Sequence, residues 1–181
     1  MRAHVVPSIA CMLTAIALSA AAPPAWAADA CDRLTARMIR ATGASLAGRE
    51  ASFAVFRAAD ADRMSLDCRT PARMAFGSRD REPAGAFFVL IGLAAEGLTG
   101  AKAGAVETLA RDLHRDSLLT GLPQTGRAGH AALRCEVSGQ GLADALGLGG
   151  ASPDLTRCLL VRHRKTVLRR RAGLFGGAQA G

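Results

Sequence analysis

Arg63-Met64-Ser65-Leu66-Asp67-Cys68-Arg69 alternates without a break: Met64, Leu66 and Cys68 take every second position, and Arg63, Ser65, Asp67 and Arg69 take the others. A period of two is the mark of a strand with one dry and one wet face. Just upstream, Ser52 to Ala58 carries Phe53, Val55 and Phe56 and runs into the turn-like Asp60-Ala61-Asp62. Just downstream, Thr70-Pro71-Ala72 turns the chain, and Met74 and Phe76 resume the alternation in a third strand. Connections this short favour an antiparallel meander with one face in water.

Helical patterns flank these strands. Cys31, Leu34, Met38 and Ile39 form a stripe over Asp29 to Ala41, with Gly43 as a stop. Ala84 to Leu98 is apolar almost all round and too short for a membrane span, so it reads as a buried core helix. Lys102 to Leu119 is amphipathic, with Val106, Leu109, Ala110, Leu113 and Ser117 on one face and a Glu107–Arg111 pair one turn apart on the other. A fourth strand begins near Gly129, with Ala131, Leu133, Cys135 and Val137 pointing one way and His130, Arg134 and Glu136 the other. After a Gly-rich connection with a helical turn at Leu142 to Leu146, a fifth strand spans Leu155 to Arg164. The order α-βββ-αα-ββ gives one α+β domain: an antiparallel sheet of about five strands with helices packed on one face.

The first 27 residues read as a secretory signal peptide. Arg2 precedes an apolar run from Val5 to Ala22, and Ala25-Trp26-Ala27 offers small residues for cleavage before Ala28. The domain then covers residues 28–166, and 167–181 form a basic tail with too little apolar surface to order itself. Export places the protein in the periplasm or outside the cell. There the four remaining cysteines are an even set for two structural disulfides. No C-x-x-C spacing points to zinc or to a redox centre. Cys31 shares the helix stripe with Leu34 and Met38, and Cys68 shares the dry strand face with Met64 and Leu66, so a helix packed on that face pairs them. Cys135 and Cys158 fall on neighbouring strands. Leu159 and Val161 compete with Cys158 and Leu160 for the inner face, and a slip of one residue would turn Cys158 outward.

The formal charge is +8. From Ala28 to Asp154, 15 basic and 15 acidic residues cancel, and no acid follows Asp154. With Arg2 lost in the signal, the remaining excess lies at the C-terminal end, where Arg162, Arg164, Lys165, Arg169, Arg170 and Arg171 form an expected site for anionic lipid or lipopolysaccharide. Nucleic acid is not an expected partner of an exported chain. No Tyr is present and the only Trp leaves with the signal, so stacking platforms for bases or sugars are disfavoured.

No motif for catalysis, metal or cofactor emerges. His114, His130 and His163 follow no ligand spacing, and His114 reads as a histidine on a helix surface. Asp60 and Asp62 resemble a calcium-loop fragment but lack its later ligands, and turn chemistry accounts for them. Gly97 to Ala103 is not a phosphate-binding loop, and Ser45 does not sit in a nucleophile elbow. The expectation is a non-enzymatic, disulfide-stabilised binding or interaction module of the bacterial envelope. The alternative is a small exported enzyme of hydrolase type.

Overall fold

In the computed structural model the chain runs α1 (Ala25–Thr42), β1 (Ser45–Glu50), β2 (Phe53–Ala58), β3 (Ala61–Asp67), β4 (Arg73–Ser78), α2 (Gly85–Thr99), α3 (Ala103–Thr120), β5 (Gln124–Ala128), β6 (Ala131–Val137) and β7 (Thr156–Arg162). The structure describes residues 25–138 and 154–163, with side chains from Ala30 onward. The strands form one antiparallel sheet in the order β1-β2-β3-β4-β7-β6-β5. β7 is the keystone. It inserts between the β1–β4 meander and the β5–β6 hairpin, joining them into one sheet.

The α+β class, the single antiparallel sheet and the helices on one face agree with the sequence pattern, but the described sheet has seven strands rather than about five. The two unforeseen strands, β1 and β5, are its two edges. An edge strand is covered along one side only and needs little alternation to hold its place. Ser45–Glu50 is exposed almost throughout, and Gln124–Ala128 contains no large apolar residue.

Alternation on the inner strands builds two dry rows across the sheet. Ala54, Leu66, Met74, Leu160 and Leu133 stand side by side in one, and Phe56, Met64, Phe76, Cys158 and Cys135 in the next. All ten side chains are buried. Burying a large apolar side chain contributes about 1.5–3 kcal/mol, so these rows carry much of the stability. The register turns Leu159 and Val161 outward and keeps Cys158 and Leu160 inside.

Over the dry rows lies a helical layer with α2 between α1 and α3. Burial of Phe87, Phe88, Leu90, Ile91, Ala94, Ala95 and Leu98 explains why this helix is apolar almost all round. Two glycines let the helices approach closely. A Cβ at Gly92 would lie 2.6 Å from the Ala103 carbonyl oxygen, and one at Gly97 2.6 Å from Met38 Cε. No described helix is long and apolar enough to cross a membrane.

All three described helices stop at the same dipeptide, Thr42-Gly43, Thr99-Gly100 and Thr120-Gly121. Each threonine hydroxyl donates to the carbonyl one turn back, at 2.7, 2.8 and 2.8 Å. It also accepts from the backbone N–H two residues on, in Ala44, Ala101 and Leu122. Each glycine takes the left-handed conformation that ends a helix at low cost.

Two disulfides fasten the fold, one between the helical layer and the sheet and one within the sheet. Cys31 of α1 is bonded to Cys68, just past β3, with Cα atoms 5.5 Å apart. Cys135 and Cys158 face each other across β6 and β7 and are bonded at a Cα separation of 4.2 Å. These are the pairs expected from sequence, and the register of β7 keeps Cys158 on the dry face that the second one needs.

Candidate functional site

The helices cover one face of the sheet; among the described residues none packs on the other. The same alternation that buries the dry rows sends the wet positions to this open face. Arg57, Arg63, Arg69, Arg73, Arg127, Arg134 and Arg157 stand there against Glu50, Asp67, Glu136 and Asp154. Apolar side chains lie among them. Phe53 is 44% and Val55 38% exposed, and Leu159, Val161 and Ala132 are half-buried. Within the neutral stretch from Ala28 to Asp154 this face holds six of these arginines against the four carboxylates, and Arg157 adds a seventh.

The carboxylates on this face hold particular arginines. Asp67 is buried beside Arg69 and Arg73, with a guanidinium nitrogen of each at 2.7 and 3.5 Å from Oδ2. Hydrogen bonds from the Arg69 side chain lower its pKa to about 2; burial opposes this, while the Arg69 backbone N–H and the charges of Arg69 and Arg73 reinforce it. Asp154 lies over Gly77, where a Cβ would come within 2.5 Å of its Oδ2, and pairs with Arg63 at 3.4 Å. The missing side chain at Gly77 thus makes room for a buried carboxylate. Glu136 bridges two cations, Arg134 at 3.3 Å and Arg157 at 3.5 Å.

Two adjoining hollows lie on the open face. One of about 180 Å³ is bounded by Ala75, Arg134, Glu136, Arg157 and Leu159. The other, about 480 Å³, is bounded by Thr125, Arg127, Ala132, Arg134, Leu159 and Val161. They share Arg134 and Leu159, so the floor is apolar and the rim cationic. Arg127 makes no ion pair among the described residues. An arginine fork beside an apolar floor suits a phosphate or carboxylate carried on a less polar body.

The remaining candidates occupy other places. His114 is buried rather than on the helix surface, and its Nε2–H donates to the Arg81 carbonyl oxygen at 2.9 Å. Phe88 of α2 lies edge-on to the imidazole at 5.2 Å between ring centres, and this cover is invisible in the pattern of α3 alone. His130 does not head the wet face of a strand; with Gly129 it forms the β5–β6 turn, and its carbonyl oxygen accepts from the His163 N–H. Asp60, Asp62 and Asp80 border a third hollow of about 390 Å³. Asp62 accepts from the Arg79 backbone N–H at 2.8 Å, which pins the loop before α2. Among the described residues no three His, Cys, Asp or Glu side chains are placed to hold a metal ion.

Of the basic C-terminal set, Arg162 ends β7 and is exposed. Arg164, Lys165, Arg169, Arg170 and Arg171 lie outside the described residues, as do the apolar run of the signal peptide and the turn at Leu142 to Leu146. The arginines of the open face were not singled out from sequence. Each is one wet position in its own strand, and only the strand order places them side by side.

No family model, curated protein or solved structure matches the chain.

Proposed function

We propose that this protein is an exported, disulfide-stabilised, non-enzymatic binding module of the bacterial envelope, and that its open sheet face takes an anionic partner. The observation that carries the reading is the segregation of charge: one face buries the core under helices, and the other presents seven arginines against four carboxylates around exposed apolar side chains. Two disulfides within so small a domain support an oxidising compartment. The basic run of sequence beyond β7, from Arg164 to Arg171, adds charge of the same sign.

The test is retention of the processed protein on immobilised lipopolysaccharide, anionic phospholipid and an acidic polypeptide, at low and at high salt. Retention on at least one of them, released by salt, is the expected result. Retention on none, or retention indifferent to salt, overturns the reading.

A further inference from the structure

The binding face has a finer organisation. Arg157, Arg134 and Arg127 stand on β7, β6 and β5, three successive strands. Arg157 is paired with Glu136, two residues from Arg134, and Arg134 is paired with Thr125, two residues from Arg127. Each arginine is therefore a diagonal neighbour of the next, about 7–8 Å away. The three make a straight cationic stripe across one half of the sheet. Along one flank of the stripe run Leu159, Val161 and Ala132, which floor the larger hollow. Phe53 and Val55 stand exposed on the same face at its far side.

We propose that this face docks on an anionic phospholipid bilayer, with the Arg157–Arg134–Arg127 stripe seating lipid phosphates and the exposed Phe53 and Val55 of the same face entering the headgroup region. The inference rests on the reading above and names its ligand. Three features favour a bilayer over an acidic protein. The arginines lie on successive strands of one sheet face that has no helical cover among the described residues. The apolar side chains fall in two small groups, Leu159 with Val161 and Ala132, and Phe53 with Val55, whereas a protein partner is gripped by a few anchors in deep central pockets. Arg127, at one end of the stripe, has no carboxylate to give up before it meets a phosphate, and Arg134 and Arg157 share a single one. In this orientation α1, α2 and α3 face away from the lipid. Chain leaving β7 at Arg162 continues into the basic run of sequence.

The experiment is co-sedimentation of the full exported chain with vesicles of phosphatidylglycerol in phosphatidylcholine, and with phosphatidylcholine alone. Replacing the stripe, R127Q/R134Q/R157Q, should weaken binding to the anionic vesicles about 100-fold, since each basic residue at such a surface contributes a factor of about five. The charge-matched variant R33Q/R37Q/R40Q, on the exposed side of α1, should lose under about fivefold, because its arginines sit more than a screening length from the lipid. T125E leaves every arginine in place and sets a carboxylate directly opposite Arg134; it should weaken binding even if the triple variant fails to fold.

Equal losses in the stripe and α1 variants would overturn the stripe and leave only net charge. Full binding by the stripe variant, with none after deletion of residues 167–181, would overturn the sheet face as the lipid site while leaving an anion-binding module. Retention on the acidic polypeptide but not on anionic vesicles would overturn the lipid and keep the broader reading. Absence of binding to any anionic component would overturn both.

Discussion

Asp67 shows what one buried carboxylate contributes. It occupies a wet position in the alternation of β3, yet it is only 7% exposed because Arg69 and Arg73 close over it. Its folded pKa is depressed from 3.8 to about 2, so the folded state favours the ionised form. The resulting stability is fully present above the unfolded value and is lost as pH falls through the folded one. Against the solvent screening of the exposed Arg69, the contribution is about 1–2 kcal/mol. D67N should therefore be less stable than the parent by that amount at neutral pH. The gap should close between pH 3.8 and about pH 2. Urea unfolding of both proteins across that range is the measurement, and a gap that persists at the acid end would contradict the assignment.

Ala51 offers a second residue-scale test. It has φ of 44° in the two-residue turn between β1 and β2, a conformation that costs an L-residue about 1–2 kcal/mol. Glycine relieves that strain but gains freedom in the unfolded chain. A51G should come out ahead by about 0.5 kcal/mol. A lower unfolding midpoint would show that the alanine methyl makes contacts worth more than the strain.

Among the elements, α1 depends most on a covalent tie. It packs beside α2, and the Cys31–Cys68 bond fastens its N-terminal part to the end of β3 across a loop of 37 residues. Closing a loop of that length stabilises the fold by about 3–4 kcal/mol in the chain-entropy model. C31S/C68S should lose about that much in urea unfolding, with hydrogen exchange accelerated first in α1. The Cys135–Cys158 bond closes 23 residues between two adjacent strands of the sheet. Its loss should accelerate exchange in β6 and β7 and leave α1 protected. Indifference of α1 exchange to the first pair would show that helix packing alone holds it.

The strands divide by how much of their neighbourhood is local. β3 was plain from its own residues because both of its neighbours, β2 and β4, adjoin it in sequence and in the sheet. β5 has the same kind of hairpin with β6, yet it offers Gln124, Thr125, Gly126, Arg127 and Ala128, which bear no alternation of large and polar side chains. Gly126 leaves space for Leu109 of α3, whose Cδ1 would be 2.6 Å from a Cβ there. The apolar side chain that fills the dry row at that point comes from a helix, so the strand itself does not show it.

At the scale of the whole molecule, processing is the first prediction. Cleavage before Ala28 would shorten α1 by three residues and leave Cys31 near its new start. Intact mass of the exported protein should begin at Ala28. With Trp26 removed and no Tyr in the chain, absorbance at 280 nm should come from the disulfides alone. A mass that retains Trp26 would show the cleavage reading wrong.

The sequence by itself determined the class of fold, the dry face of β3, β4 and β6 and the buried middle helix, and it pointed to the cysteine pairs; the register of β7 that puts Cys158 on the dry face came from the structure. What the sequence determined follows from period and burial, which each segment carries in its own residues. Only the tertiary structure decided the two edge strands, the burial of His114 and Asp67, and the gathering of arginines on one face. An edge lacks the second neighbour that would impose a pattern, and a buried polar side chain is covered by groups from another element. The charge of a face is summed across strands whose order the chain sets only when β7 closes the sheet between β4 and β6.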